Sequence, residues 1–116
     1  MVRGHNLGLT TDIYISSVTF EAIAEEVRKI GNLAGENGSE SADQVDAVIL
    51  GCSGFRACVP GFIDHLEKVA GGIPVVTSTQ AILWDTLRLA GVQDIVQGYG
   101  TLFQKTDCHD AKLVPQ

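Results

Sequence analysis

Hydrophobic residues recur along the chain with helical spacing in some stretches and as short continuous runs in others. Residues 16–31 predict an amphipathic helix, whose apolar face consists of Phe20, Ile23, Ala24, Val27 and Ile30. We expect Ser16 or Ser17 to cap this helix and Gly31 to end it. Residues 35–46 are polar and contain glycine, which predicts a surface loop.

Two short runs of apolar, mostly β-branched residues predict buried strands. They are AVILG at residues 47–51 and IPVVTST at residues 73–79. Continuous apolar runs of this kind are typical of strands that are covered on both faces. The segment DIV at residues 94–96 predicts a marginal third strand, and HNLGLT at residues 5–10 predicts a further short one.

A helix is predicted after each of the two stronger strands. The first covers residues 59–72, with Pro60 in its first turn, and its apolar face consists of Phe62, Ile63, Leu66, Val69 and Ala70. The second covers residues 79–91, with Thr79 as its N-cap. Each helix is expected to end at a glycine, namely Gly71 and Gly91.

The alternation of strands and helices predicts the architecture and the place of a site. It implies a parallel sheet with right-handed crossovers, so residues 1–116 are interpreted as a single α/β domain. In open sheets of this kind, ligands bind at the carboxyl ends of the strands. Residues 51–54 and residues 77–80 follow the two stronger strands, and we expect both loops at that edge.

Composition and charge narrow the classes of function. Hydrophobic residues make up 45% of the 116 residues, which is enough for a core, and the net charge is −6. The basic residues are scattered, so no nucleic-acid surface is expected, and no apolar run is long enough to cross a bilayer. The odd number of cysteines, three, and an N-terminus without a secretory signal pattern indicate a reducing cytoplasm.

Motifs for nucleotides and metals are missing from the sequence. It contains no Walker lysine and no G-x-G-x-x-G pattern, which argues against a nucleotide. Cys108, His109 and Asp110 are residue types that bind zinc, but three adjacent positions lack the usual spacing of zinc ligands. We therefore expect no metal site.

Cys52 is the main candidate for chemistry. It follows the first strong strand and precedes a helix, where backbone NH groups and the helix dipole stabilise an anion and lower the pKa of a thiol. The NH groups of Ser53 and Gly54 are placed to bind a carboxylate or enolate oxygen. The alternative is that Cys52 is a core residue, because free cysteines often behave as small hydrophobic side chains.

The loop after the second strand offers hydroxyl groups. Thr77 and Ser78 can hydrogen-bond a carboxylate, whereas Thr79 is explained by helix capping alone. The other two cysteines have simpler interpretations. Cys58 precedes a helix among apolar neighbours and is expected in the core, and Cys108 lies in a polar tail as an uninvolved thiol.

Three segments, in order, resemble a known superfamily. They are DAVILGCSGFRA at residues 46–57, GGIPVVTSTQAILWDTLRLAGV at residues 71–92 and GYGTLF at residues 98–103. Together they resemble the aspartate/glutamate racemase superfamily, in the branch of arylmalonate decarboxylase and the maleate cis-trans isomerases. The resemblance runs from about residue 7 to residue 103 and corresponds to the C-terminal half of these enzymes only.

The resemblance implies a fold and a chemistry. The fold is a three-layer, flavodoxin-like half-domain with a short parallel sheet flanked by helices. The chemistry is cofactor-free decarboxylation, isomerisation or racemisation of a small (di)carboxylic acid, such as an arylmalonate or maleate. Cys52 matches the cysteine that acts as proton donor or nucleophile, and Ser53 and Gly54 match the small residues that help to hold a carboxylate. Thr77 and Ser78 would orient carboxylates.

The missing half leaves two interpretations of function. In the first, a companion N-terminal half or a second copy of the chain completes an enzyme. Two copies paired about a two-fold axis would bring Cys52 of each towards a shared cleft. In the second, the chain is a truncated, non-catalytic relative that folds and binds a small carboxylate or a partner subunit. No histidine is placed by the sequence to activate Cys52, which is the observation behind the second interpretation.

Overall fold

The computed structural model of the protein describes residues 12–33 and 45–106. Its helices and strands are α1 (Asp12–Ser16), α2 (Phe20–Leu33), β1 (Val48–Leu50), α3 (Phe62–Val69), β2 (Val75–Thr77) and α4 (Ser78–Leu89), with 3-10 turns at Ser53–Phe55 and Thr101–Gln104. The strand predicted at residues 5–10, most of the predicted loop and Cys108 lie outside the described residues. None of the described helices is both long and apolar enough to span a membrane.

The two strands form a parallel sheet, and α3 lies between them in sequence. Val48 pairs with Val75, Ile49 with Val76 and Leu50 with Thr77. The predicted α/β architecture with a short parallel sheet and flanking helices is therefore confirmed, and it fits half of a flavodoxin-like domain.

The prediction of a strand at residues 94–96 is wrong, because this segment is hydrogen-bonded to Arg88 at the end of α4. The guanidinium of Arg88 donates hydrogen bonds to the carbonyls of Val92 and Asp94, at 2.8 and 3.3 Å. It also donates to the carbonyl of Lys105 at 2.8 Å, and the side chain is only 4% exposed. The carbonyl of Asp94 is thus engaged by an arginine instead of a neighbouring strand.

The core lies on one face of the sheet, beneath α2 and α3. Its buried side chains are Ile23, Val27, Val48, Ala57, Ile63, Leu66, Ala70 and Val75. The two helices approach so closely that a Cβ atom on Gly31 would lie 2.7 Å from the carbonyl oxygen of Ala70. Gly31 therefore lies inside α2 and does not end it as predicted, because its missing side chain permits this contact.

The N-cap of α2 is a residue that the sequence analysis did not select. Thr19 Oγ1 accepts a hydrogen bond from the backbone NH of Ala22 at 3.2 Å. The predicted caps, Ser16 and Ser17, are occupied elsewhere, because Ser16 belongs to α1 and the hydroxyl of Ser17 donates to the carbonyl of Tyr14 at 2.8 Å. Because the short helix α1 occupies the residues just before it, α2 starts further along the chain than predicted.

The helix α3 begins later than predicted and ends where it was expected to end. Its N-cap is Gly61, so Pro60 precedes the helix and does not lie in its first turn. Gly61 has a φ of 81°, and its NH donates to the carbonyl of Gly98 at 2.7 Å, so the chain turns sharply at this point. Gly71 follows the last turn with a φ of 81°, as expected of a glycine after a helix.

The helix α4 begins directly where β2 ends. Its N-cap is Thr77 and not Thr79, because no loop residues separate the last strand residue from Ser78, the first residue of the helix. The predicted end is confirmed, since Gly91 follows the final turn with a φ of 81°. The cap is therefore the last residue of the strand itself.

The second face of the sheet is only partly covered. Ile49 is 76% exposed, so the prediction that β1 is covered on both faces is wrong. Its register partner Val76 lines an open groove of about 450 Å³ beside α4. The other residues that line this α4 groove are Ala81, Ile82, Trp84, Asp85 and Leu102. Among the described residues, α2 and α3 pack on the opposite face, which leaves Ile49 in contact with solvent.

Candidate active site

The structure brings the two predicted loops to one edge of the sheet. Leu50 and Thr77 are register partners at the ends of their strands, so the residues that follow them start side by side. The hydroxyl of Ser78 donates a long hydrogen bond, 3.5 Å, to the carbonyl of Leu50. Cys52 therefore lies two residues beyond a strand end that is bound to the first turn of α4.

Cys52 is half-buried and opens a tight turn. Its backbone is extended, and it is the N-cap of the 3-10 turn Ser53–Phe55, but its side chain makes no capping hydrogen bond. The first amide bonded inside this turn is that of Phe55, which donates to the carbonyl of Cys52 at 3.3 Å. The NH groups of Ser53 and Gly54 consequently have no partner within the turn, as expected for the first amides of a helix.

Gly54 is required by the way this turn packs on α1. A Cβ atom at Gly54 would lie 2.9 Å from Cγ2 of Ile15 and 3.4 Å from Sγ of Cys52. A side chain at this position would therefore push against Ile15 of α1 and lie in contact with the thiol. Gly54 is predicted to bind a carboxylate through its NH group, and the contact with Ile15 gives a steric reason for a glycine at the same position.

Arg56 ends the turn in a conformation that the sequence did not predict. Its φ of 53° and ψ of 28° lie in the left-handed region, the only positive φ of a non-glycine residue among the described ones. Its guanidinium donates to the carbonyl of Ser16 at 2.7 Å, at the end of α1. Together with the contact between Gly54 and Ile15, this hydrogen bond holds the Cys52 turn against α1.

Thr77 and Cys58 meet at the same edge. Oγ1 of Thr77 accepts a hydrogen bond from the NH of Gln80 at 3.1 Å, and its residue is 4% exposed. Burial raises the pKa of the Cys58 thiol, and the nearby Thr77 hydroxyl partly opposes that rise. Cys58 was expected in the core, but it is half-buried and lies at the candidate site.

Gln80 joins the start of α4 to a distant segment, a role that the sequence analysis missed. Its side chain is fully buried; Oε1 accepts from the NH of Thr77 at 2.9 Å, and Nε2 donates to the carbonyl of Tyr99. The first of these bonds completes a capping box with Thr77. The spacing of a threonine three residues before a glutamine is the sequence signal that would have identified it.

Residues 98–101, called here the GYGT strap, are held by two carboxylates of α3. Oδ1 of Asp64 accepts from the NH of Gly100 at 2.9 Å. The carboxylate of Glu67 accepts from the NH and the hydroxyl of Thr101, each at 2.9 Å, and from the NH of Val75 at 3.1 Å. The strap therefore runs from the first turn of α3 alongside β2, and the carboxylates of Asp64 and Glu67 hold Gly100 and Thr101.

These observations define a class of protein: a small α/β domain with a free thiol at the carboxyl edge of a parallel sheet, beside a helix N-terminus. The arylmalonate decarboxylase family matches residues 5–103, and the chain belongs to this family. Among curated relatives, it is 36% identical over 70 residues to the arylmalonate decarboxylase of Bordetella bronchiseptica. That match covers 58% of this chain and 27% of the relative, so the matched part spans about a quarter of that enzyme. No solved structure matches the chain.

Proposed function

We propose that the chain supplies one half of the active site of a decarboxylase or isomerase that acts on a small dicarboxylic acid, such as an arylmalonate or maleate. The observation that carries this proposal is the position of Cys52, whose side chain makes no capping hydrogen bond in a turn at the ligand-binding edge of the sheet. Membership of the arylmalonate decarboxylase family supports the reaction class.

For an arylmalonate, the proposed reaction begins with loss of one carboxylate. The bond between the α-carbon and this carboxylate breaks, carbon dioxide leaves, and the electron pair remains on the α-carbon, delocalised as an enediolate. Cys52 then donates its thiol proton to the α-carbon and becomes a thiolate, which is reprotonated by water. The product is the monocarboxylic acid, and no electron acceptor or cofactor is required.

The residues around Cys52 have separate tasks in this proposal. The NH groups of Ser53 and Gly54 bind the oxygen on which negative charge develops. Ser78, at the first turn of α4, orients the remaining carboxylate beside a positive helix end. Thr77 caps α4 by accepting a hydrogen bond from the NH of Gln80, so its task is to hold the start of α4 beside the substrate.

The other half of the site is proposed to come from a second copy of this chain or from a companion N-terminal half. The chain matches 27% of the length of its curated relative, so most of that enzyme has no counterpart here. A reducing compartment, the cytoplasm, suits the free thiols of Cys52 and Cys58.

The test is turnover of phenylmalonate and of maleate by the wild-type chain, Cys52→Ala and Cys58→Ala. Proton NMR in D₂O follows the product and the deuterium placed on its α-carbon. We expect Cys52→Ala to lose activity on the order of 100-fold or more, because the proton donor is removed. Cys58→Ala is the matched control and should stay active. Full activity of Cys52→Ala would contradict the assignment.

A second candidate function is a non-catalytic binding subunit, and it is favoured by the observation that no histidine is placed by the sequence to activate Cys52. In that case the chain binds a small carboxylate or a partner and turns over neither substrate. Isothermal titration with phenylmalonate separates the two functions, since binding without turnover at high protein concentration supports the second.

A further inference from the structure

The side-chain amide of Gln80 makes two hydrogen bonds that serve different purposes. Oε1 accepts from the NH of Thr77 at 2.9 Å, which completes the capping box of α4. Nε2 donates to the carbonyl of Tyr99, 19 positions away, and capping does not require this second bond. Because the residue is fully buried, each polar atom of the amide needs its partner. The planar amide therefore holds Thr77 and Tyr99 at a fixed separation.

The GYGT strap is also tied to the opposite end of β2. The carboxylate of Glu67 accepts from the NH of Val75, the first residue of β2, at 3.1 Å and from the NH of Thr101 at 2.9 Å. The strand, the strap and the side chains of Gln80 and Glu67 thus form a closed ring of hydrogen-bonded segments. A shift of the strap along β2 has to break one of these bonds or move the first turn of α4.

We propose that Gln80 is a positioning residue, which couples the GYGT strap to the carboxylate-binding start of α4. The capping box uses the NH of Gln80. The NH groups of Ser78 and Thr79 are the amides of the first turn that remain for an anion, and their direction follows from the placement of this turn. The proposal rests on the proposed function for the assignment of a substrate carboxylate to the start of α4.

Two variants separate this role from helix capping alone. A cap needs only the acceptor Oε1, and glutamate serves as well as glutamine at this position of a capping box. Gln80→Glu keeps that acceptor but replaces the donor to Tyr99 by an oxygen, which repels the carbonyl. Gln80→Met removes both bonds without adding a charge. If Gln80 only caps α4, Gln80→Glu behaves as the wild type, whereas coupling requires that both variants release the strap.

Amide hydrogen exchange, measured by NMR on the whole chain, tests the coupling without a substrate. The reporters are the NH groups of Gly100 and Thr101, which are bound to carboxylates of α3 and not to Gln80. We expect them to exchange on the order of 10-fold faster in both variants, with the exchange of α2 as the internal reference. Gln97→Met is the matched control, because it removes an exposed amide just before the strap and leaves α4 untouched. It should not change the exchange of these two amides.

Steady-state kinetics with phenylmalonate tests the positioning of the carboxylate site. Gln80→Met should raise KM on the order of 10-fold, as expected when a hydrogen bond to a charged group is misplaced. The value of kcat should fall less than about 3-fold, because Cys52 lies in a different turn. A merely structural role would lower the folded fraction, which reduces kcat and leaves KM unchanged.

Two results would overturn the proposal. Unchanged exchange of Gly100 and Thr101 in both variants would show that the strap and α4 are independent. Faster exchange with an unchanged KM would show that the coupling does not reach the carboxylate site. If the wild-type chain turns over neither phenylmalonate nor maleate, the proposed enzyme is contradicted, and the dissociation constant of phenylmalonate from isothermal titration takes the place of KM. A chain that does not bind phenylmalonate either would remove the positioning role, while hydrogen exchange would still show whether the strap is coupled to α4.

Discussion

Two cysteines only six positions apart have different surroundings at the same edge of the sheet. Cys52 opens a turn without a side-chain capping bond, whereas burial raises the pKa of the Cys58 thiol. We predict that an alkylating agent modifies Cys58 in the native protein more slowly than a free thiol at the same pH. Mass spectrometry of the native protein against pH measures the two rates, and in denaturant the rates should become equal. Fast native labelling of Cys58 below pH 9.0, the ordinary pKa of a cysteine thiol, would contradict its buried environment.

The raised pKa of Cys58 also predicts how stability depends on pH. The folded state holds this proton more tightly than the unfolded state, so the contribution to stability is complete below the unfolded pKa. It is lost as the pH rises from about 9.0 through the higher folded pKa. Urea unfolding at a series of alkaline pH values should therefore show a decline for the wild type that is smaller in Cys58→Ala. An equal decline in both proteins would show that titratable groups other than Cys58 cause the loss of stability.

At the scale of single elements, the cap of α4 can be tested with neighbouring threonines. Thr77→Val keeps the shape of the strand residue but removes the oxygen that accepts from Gln80. We expect it to lower the free energy of unfolding by about 1 kcal/mol, within the range known for N-caps. Thr79→Val, inside the helix, is the control and should change stability by less than about 0.5 kcal/mol. Urea unfolding measures both, and equal losses would show that the cap is misassigned.

The GYGT strap depends on one glycine for its path. Gly100 has a φ of 77°, and a Cβ atom there would lie 2.5 Å from Cγ2 of Ile63 and 2.8 Å from Oε1 of Glu67. Gly100→Ala should destabilise the protein by about 2–5 kcal/mol, from backbone strain together with overpacking. Gly71 also has a positive φ of 81°, but a Cβ atom there would meet no other atom within 4 Å. Gly71→Ala therefore measures the backbone strain alone and should lower the free energy of unfolding by about 1–2 kcal/mol. Thermal unfolding compares them, and similar losses in the two variants would exclude the proposed packing constraint.

The sequence predicted the elements better than the contacts that place them. Apolar periodicity identified α2 and α3, and continuous apolar runs identified both strands. The helix α4 was predicted between Thr79 and Gly91. It did not predict that Arg88 would bind the segment after α4, since nothing local to residues 94–96 signals a contact with a buried guanidinium. The cap of α4 was assigned to Thr79 because the exact end of β2 is not visible in a run of three adjacent hydroxyl residues.

For the site, the sequence predicted that the loops after β1 and β2 lie at one edge, because strand ends meet in a parallel sheet, and the register of Leu50 with Thr77 places them there. Gln80 and Glu67, which fix the GYGT strap, were not predicted as part of this edge, since their partners lie 19 and 34 positions away in sequence. The strand β1 was expected to be covered on both faces, and no pattern within its short apolar run reveals that Ile49 is exposed. Local spacing predicts local structure, and these contacts are long-range.

At the scale of the whole molecule, assembly and activity should be linked. If two copies complete one active site, only the dimer turns over substrate, so the rate per chain should rise with protein concentration and follow the dimer fraction. Initial rates of phenylmalonate decarboxylation, measured beside sedimentation at the same concentrations, test this link. A rate strictly proportional to concentration while the dimer fraction changes would show that one chain is sufficient.

The position of Trp84 has a practical consequence. It is the chain's single tryptophan, its ring lines the α4 groove, and its indole NH is bound to the carbonyl of Lys105 at 3.0 Å. All tryptophan emission therefore originates beside the α4 groove. Exclusion of water from the groove would shift that emission to shorter wavelength and shield it from dissolved quenchers. The protein thus carries an intrinsic optical reporter of any molecule that binds in this groove, readable without a label.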